Sequence, residues 1–263
     1  MPPPKPREFP WWLAAIGTIG AVLLALIVAD PVYRSILALL AQGIRVTVFV
    51  TVVAFTLATA LGLLLAVCAT SRHVALRQTA RFYVEVMRGV PILVLLLYVA
   101  FVAAPALVAG VSAVTEALGL GRVQTRDFSL LWRAIIALAL AYAAFIAEVF
   151  RAGLLSVDPG QIEAAQALGL TGWQRFRLVV MPQAIRTILP PLGNDFVALV
   201  KDSSLVSVLG VADITQLGKV YAAGSFRFFE TYNVVAFLYL TMTLGLSLAL
   251  RALERRLRAH EAR

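Results

Sequence analysis

The sequence predicts an all-α integral membrane protein: six transmembrane helices and one short helix on the cytoplasmic side. Three observations lead there. Of 263 residues, 61% are hydrophobic and only 14% are charged. The apolar residues gather in runs long enough to cross a bilayer, and arginine and lysine lie between those runs with a bias to one side. Soluble chains hold about 45–50% apolar and about 25% charged residues, so a water-soluble enzyme and a disordered chain are both excluded. The net charge of +9 would suggest nucleic acid in a soluble protein. Here the basic residues flank apolar runs and form no amphipathic face, so no nucleic-acid partner is expected. The single cysteine, Cys68, cannot close an internal disulfide and reads as a small packing residue.

A helix needs roughly 20 apolar residues to cross about 30 Å of hydrocarbon. Residues 11–29, 44–69, 90–109 and 130–150 meet that length, and 234–250 is slightly shorter but bounded by Tyr232 and Arg251. The first run exceeds the roughly 7–15 apolar residues of a signal peptide core, and Val28-Ala29-Asp30 is a poor cleavage site. It is therefore expected to stay as an anchor. The prolines at 2, 3, 4, 6 and 10 predict an extended lead, with Trp11 and Trp12 at the membrane interface. Pro91 predicts a kink just inside the third span.

Residues 185–209 are the ambiguous run. They carry Pro190, Pro191, Asn194, Asp195, Lys201 and Asp202, and each central charge opposes insertion by about 2.5–3.5 kcal/mol. The distribution of basic residues decides for a span. With the amino terminus inside, Lys5, Arg7, Arg72, Arg77, Arg81, Arg88, Arg151, Arg175, Arg177, Arg186, Arg251, Arg255, Arg256, Arg258 and Arg263 are cytoplasmic. Arg34, Arg45, Arg122, Arg126, Arg133, Lys219 and Arg227 are outside, and Lys201 falls within the span. Without the fifth span the arginine-rich tail would be stranded outside, against the positive-inside rule. Six spans with both termini cytoplasmic follow.

The stretch 156–182 reads SVDPGQIEAAQALGLTGWQRFRLVVMP. Asp158 is a good N-cap, Pro159 suits the first helical position, Gln161 completes a capping box and Gly169 supplies a left-handed C-cap. The spacing predicts a helix over 159–168. At about 15 Å it is too short to cross a bilayer or to be stable alone in water, so it needs a partner surface. Ile162, Ala165 and Leu168 form an apolar stripe, Glu163 and Gln166 flank it, and Trp173 and Phe176 follow at helical spacing. Such a helix either lies in a partner's groove or rests on its own membrane.

Glu163-Ala164-Ala165, then Gly169, then Val179, Met181 and Pro182 resemble the EAA loop of ABC-importer permease subunits. Valine and methionine stand where isoleucine and leucine are more usual. Five further segments resemble the polar amino acid branch of that family, the histidine, glutamine, arginine and glutamate type. They are Glu85-Val86-Met87-Arg88-Gly89-Val90-Pro91, Ala147-Glu148-Val149-Phe150-Arg151-Ala152-Gly153, Asp158-Pro159-Gly160-Gln161, Met181-Pro182-Gln183-Ala184, and Lys201-Asp202-Ser203-Ser204-Leu205.

The resemblance implies a five-helix permease core over 40–250, preceded by an added lead and helix (1–39) and followed by a basic cytoplasmic tail (251–263). It implies a multi-pass protein of the bacterial inner membrane, and Gln161, Glu163, Ala164, Ala165, Leu168 and Gly169 as the coupling surface. The partners it implies are two copies of a cytoplasmic ABC ATPase, a second permease subunit, identical or homologous, and a periplasmic or lipid-anchored solute-binding protein that delivers a polar amino acid.

The chain has no P-loop, because Gly218-Lys219 lacks both the earlier glycine and the following hydroxyl. ATP and magnesium therefore belong to the separate ATPase, and no cofactor is expected in this chain. No nucleophile triad suggests catalysis. His73 and His260 stand in basic segments and read as solvated surface, not metal ligands.

Substrate-pathway candidates are the polar residues at membrane depth: Glu148, Asn194, Asp195, Lys201, Asp202, Ser203 and Ser204. A zwitterion needs partners of both signs, and Asp195 and Asp202 lie two turns apart on one helix face. The competing account is internal pairing that holds the bundle together, Lys201 with Asp202 or another helix, Glu148 with Arg151 and Glu85 with Arg88. An ion-coupled secondary transporter using the same carboxylates, or a membrane scaffold recruiting a cytoplasmic partner, are the alternative functions.

Overall fold

The computed structural model describes residues 11–259. The proline lead, His260 and the last residues of the basic tail lie outside the described residues. Every regular element among the described residues is helical.

The chain begins with α1 (Trp11–Ala29), turns at Asp30 and enters α2 (Pro31–Ala69). The Asp30 carboxylate accepts a hydrogen bond from the Val32 amide at 2.7 Å, and Pro31 takes the first helical position. α2 therefore starts thirteen residues before the run expected at 44–69. At about 1.5 Å per residue its 39 residues reach about 58 Å. Its buried positions, from Tyr33 through Leu40, Thr47, Ala54 and Ala58 to Ala66, recur every three or four residues and draw one stripe along the whole helix.

After a short turn α3 (Val74–Gly89) forms where the sequence reading placed only a connection. Pro91 then precedes α4 (Ile92–Tyr98) as its N-cap residue, with Val90 extended. The expected kink inside the third span is thus a break before it. A proline biases its predecessor toward extended backbone, so α3 and α4 are separate helices. Within the third span a π turn, Val99–Ala103, links α4 to α5 (Ala104–Ala117).

α6 (Leu130–Leu155) is the central post. Ala134, Ile135, Leu138, Ala141, Tyr142, Ala143 and Ile146 are all buried, and the main core joins them to Val50, Ala54 and Ala58 of α2 and to Leu95 and Leu96 of α4. Small residues let these backbones approach, as expected where packing and not water drives helix association. A Cβ on Gly62 would stand 3.1 Å from the Ala143 carbonyl oxygen.

The short α7 (Pro159–Ala167) and α8 (Gly172–Arg175) follow, and a π turn, Phe176–Val180, leads into α9 (Met181–Asp202). A 3-10 turn, Ser203–Leu209, α10 (Ile214–Ser225) and α11 (Phe228–Ala259) complete the chain. A second core gathers Tyr33, Ile36 and Leu40 of α2 with Ile214 of α10 and Val234, Val235 and Leu238 of α11. Here α2 touches backbone, since a Cβ on Gly43 would meet the Ile214 amide nitrogen at 2.5 Å.

Among the described residues four stretches are long and apolar enough to cross a membrane: Pro31–Ala69, Ile92–Ala117, Leu130–Leu155 and Phe228–Leu253. α1 contributes a shorter apolar stretch, Ala14–Ala29, and α9 carries the charges and prolines already noted.

Candidate functional site

Two polar neighbourhoods hold the residues singled out by the sequence. The first is built around α7. The Asp158 carboxylate accepts from the Gly160 amide at 2.7 Å, so the N-cap forms as expected. Gln161 does not complete a capping box with it. Its side-chain oxygen accepts from the Gln183 side-chain amide at 2.5 Å and ties α7 to the start of α9.

The helix ends at Ala167, with Leu168 as C-cap residue and Gly169 at φ +77°. The Gly169 amide donates to the Gln166 carbonyl and the Leu170 amide to the Ala165 carbonyl, the paired closure that a left-handed residue permits. One expectation fails here. Ile162, Ala165 and Leu168 do not share a face: Ala165 is buried and Ile162 packs toward Val157, Ala184 and Ile188, while Leu168 is 81% exposed. The stripe breaks because Leu168 lies past the last turn, where the chain reverses.

Thr171 and Gln174 then cap α8 reciprocally, and Arg175 donates to the Gln166 side chain at 2.9 Å. The Trp173 ring stacks on Phe176 with centroids 5.8 Å apart, yet Trp173 stays 68% exposed. Glu163, Ala164 and Leu178 are also exposed. α7 is thus held on its inner side, and α7, its C-cap and α8 together leave Glu163, Leu168 and Trp173 exposed.

The second neighbourhood lies along α9. Asp202 accepts a hydrogen bond from the Tyr142 hydroxyl of α6 at 2.7 Å. It does not pair with Lys201, which is exposed. Among the described residues the ion pairs are Arg122 with Glu116 and Arg151 with Glu148, so Lys201–Asp202 and Glu85–Arg88 are both corrected. Arg88 instead lies over the Phe145 ring, 5.8 Å from its centroid.

One Asp195 oxygen is buried without a hydrogen-bond partner. Ser203 is buried and its hydroxyl bonds the Val200 carbonyl, Ser204 is half-buried, and Asn194 is exposed. Glu148 stands apart with Arg151, their closest atoms 2.6 Å apart. The structure therefore draws Asp202 toward α6 but does not collect the seven candidates into one site.

Residues 58–259 match the family described as "binding-protein-dependent transport system inner membrane component". The chain belongs to that family. This permease is 38% identical over 216 residues to a protein of Bacillus subtilis (strain 168) named "Probable amino-acid permease protein YxeN", covering 82% of this chain and 90% of the relative. It is 35% identical over 220 residues to the "Glutamine transport system permease protein GlnP" of Escherichia coli (strain K12), covering 84% and 93%. A solved structure described as "Crystal structure of an amino acid ABC transporter with histidines" superposes with a TM-score of 0.68 at 36% identity, covering 83% of this permease and 94% of that chain. Family membership sets aside the secondary-transporter and scaffold alternatives and makes the chain a multi-pass inner-membrane transport subunit.

Two polar features of the permease escaped the sequence reading. Tyr142 sits in a run of alanines, where nothing in the sequence marks it. Only the fold shows it bonded to Asp202. Asp213, fully buried, caps α10 through the Gln216 amide at 2.8 Å and accepts from the Tyr239 hydroxyl of α11 at 3.0 Å. A signal for it existed, since Asp213 directly precedes the apolar face of a helix, the position where an acidic N-cap is favoured.

Proposed function

We propose that this permease is the membrane-spanning subunit of an ATP-driven importer for polar amino acids, and that α7 is the helix through which a separate cytoplasmic ATPase drives it. The observation that carries this reading is the asymmetry of α7. Its inner side is fixed through Val157, Ala165 and Gln183, and the turn that follows it leaves Leu168 and, on α8, Trp173 uncovered. A partner cleft that covers them can push or pull α9 without first deforming α7, because the Gln161–Gln183 bond and the buried Ala165 transmit displacement directly. The names of the glutamine and amino-acid relatives support the substrate class.

The permease core is taken as 40–250, with α1 as an added helix and the tail from 251 as cytoplasmic. Six spans, counting α1 and α9, leave both termini inside. Two ATPases would hold ATP and magnesium, a second permease would complete the pathway, and a solute-binding protein would deliver the amino acid outside. Closure of the ATPases on ATP would draw paired α7 helices together and open the pathway outward, and hydrolysis would reverse it. Gln161, Glu163, Ala164, Ala165, Leu168 and Gly169 carry the coupling. Asp195, Asp202, Ser203 and Ser204, with Asn194, Lys201 and Glu148, border the pathway.

The test is co-purification in mild detergent of wild type and of Leu168→Ala/Trp173→Ala with co-expressed ATPase. Truncating interface anchors of this kind removes about 2 kcal/mol or more of binding, so at least a ten-fold loss of bound ATPase is expected with membrane insertion intact. Equal recovery of the ATPase with both proteins would contradict the assignment.

A further inference from the structure

The helix that the sequence reading missed is the least explained part of the molecule. α3 is tethered at both ends to apolar helices that can cross a membrane: α2 ends at Ala69 and the next span begins at Ile92. Its 16 residues reach about 24 Å, too short to cross by itself, and it connects the end of α2 to the start of the next span. It has three faces. Ala80 and Val84 are buried, Val84 packs with Ala144 and Ala147 of α6, and the Tyr83 hydroxyl donates to the Leu140 carbonyl at 2.9 Å.

Ala75, Thr79, Phe82 and Val86, spaced four, three and four residues apart, line a second face that the protein leaves bare, with Phe82 70% and Val86 41% exposed. Arg77, Arg81 and Arg88 share the third. Arg72, Arg77, Arg81 and Arg88 outnumber the one acid of this segment, Glu85. Among the described residues no ion pair involves any of the four: Arg77 donates to the Ser71 carbonyl and Arg88 covers Phe145. Glu148 also faces the basic side across a cleft shared with Arg81, Glu85 and Arg88, but it is paired with Arg151.

We infer that α3 is an in-plane amphipathic helix that docks on anionic phospholipid of the inner leaflet, with Phe82 and Val86 at the acyl boundary and Arg72, Arg77 and Arg81 on the headgroup phosphates. A bare apolar stripe beside a basic face, held at the depth where two spans end, is the composition that binds such an interface. The assignment to the inner leaflet rests on the orientation proposed above. The depth of the helix does not.

The test places single spin labels at Phe82→Cys, Val86→Cys and Gln78→Cys, each with Cys68→Ser, in the full chain. The proteins go into nanodiscs of phosphatidylcholine with and without phosphatidylglycerol. Labels at 82 and 86 are expected to collide several-fold more with oxygen than with a water-soluble nickel chelate, and the label at 78 the reverse. Phosphatidylglycerol should draw the label at 82 deeper, and R72Q/R77Q/R81Q should abolish that response. A label at 82 as open to nickel as that at 78 overturns the proposal. So does one reached by neither reagent, which would mean that a second copy or another subunit covers this face, or a depth that ignores phosphatidylglycerol. Exterior labelling of Glu163→Cys would defeat the orientation while leaving these depths readable.

Discussion

Gly169 adopts φ +77° with nothing within 4 Å of a Cβ built upon it, so any effect of replacing it acts through the backbone and not through a clash. A β-branched residue there opposes the left-handed turn by about 1–2 kcal/mol, whereas asparagine tolerates it. Gly169→Val is therefore expected to unravel the turn after α7 and cut solute-stimulated ATPase activity several-fold, with Gly169→Asn close to wild type. Reconstituted proteoliposomes with the ATPase measure this, and equal activity of the two variants would contradict a conformational role for this glycine. The same glycine shows what single residues disclosed in advance. The proline after Asp158 and the glycine after Leu168 marked both ends of α7 to within a residue, because caps are local chemistry. An identical Asp-Pro pair at 30 and 31 opens α2 with the same 2.7 Å bond. The direction of Leu168 was not legible, since it depends on where the chain goes after the turn.

Among the elements, the π turn Val99–Ala103 needs an outside partner, because a π turn displaces carbonyls from the regular ladder. Arg133 of α6 supplies it. At 6% exposure it donates to the Ala100 carbonyl at 3.0 Å, to the Phe128 carbonyl at 2.8 Å and to the Thr125 carbonyl, and it lies over the Phe128 ring. Arginine's fixed fork serves several carbonyls at once and lysine's single ammonium does not. Arg133→Lys is expected to loosen residues 121–129 and the π turn, and leaving a buried acceptor unpaired destabilises by about 1–3 kcal/mol. Hydrogen exchange should show faster amides in those two segments alone, and unchanged protection would contradict the role. Arg133 had been counted only as one of the positive charges on the outer side, since charge counting fixes the side of a residue but not its neighbours. α3 was missed, and its arginines were read as forming no amphipathic face, for a related reason: its apolar residues recur at helical spacing among charges and never make the unbroken run that marks a span. The apolar spans themselves were legible but their boundaries were not: α2, the third span and α11 all run past the apolar windows that announced them. Helices end where caps end them, not where hydropathy falls.

At the scale of the whole molecule, α6 is the fixed post around which α2, the third span and α9 pack, and α7 hangs at the junction of α6 and α9. The Asp202–Tyr142 bond joins α9 to the post inside the molecule, and Gln183–Gln161 joins α9 to α7 at its edge, so α9 is the element held at both places. On the function proposed above, a force applied at α7 would reach the polar segment of α9 through the Gln161–Gln183 bond and the body of α9. Under the proposed function, that route is how an ATPase outside this chain would move α9. The most direct measurement is the accessibility of Glu163→Cys, in a Cys68→Ser background, to a membrane-impermeant maleimide in inside-out vesicles prepared with and without co-expressed ATPase. Rapid labelling without the ATPase and strong protection with it is the predicted result. Labelling only from the outer surface of intact cells, or the same rate whether or not the ATPase is present, would contradict the account.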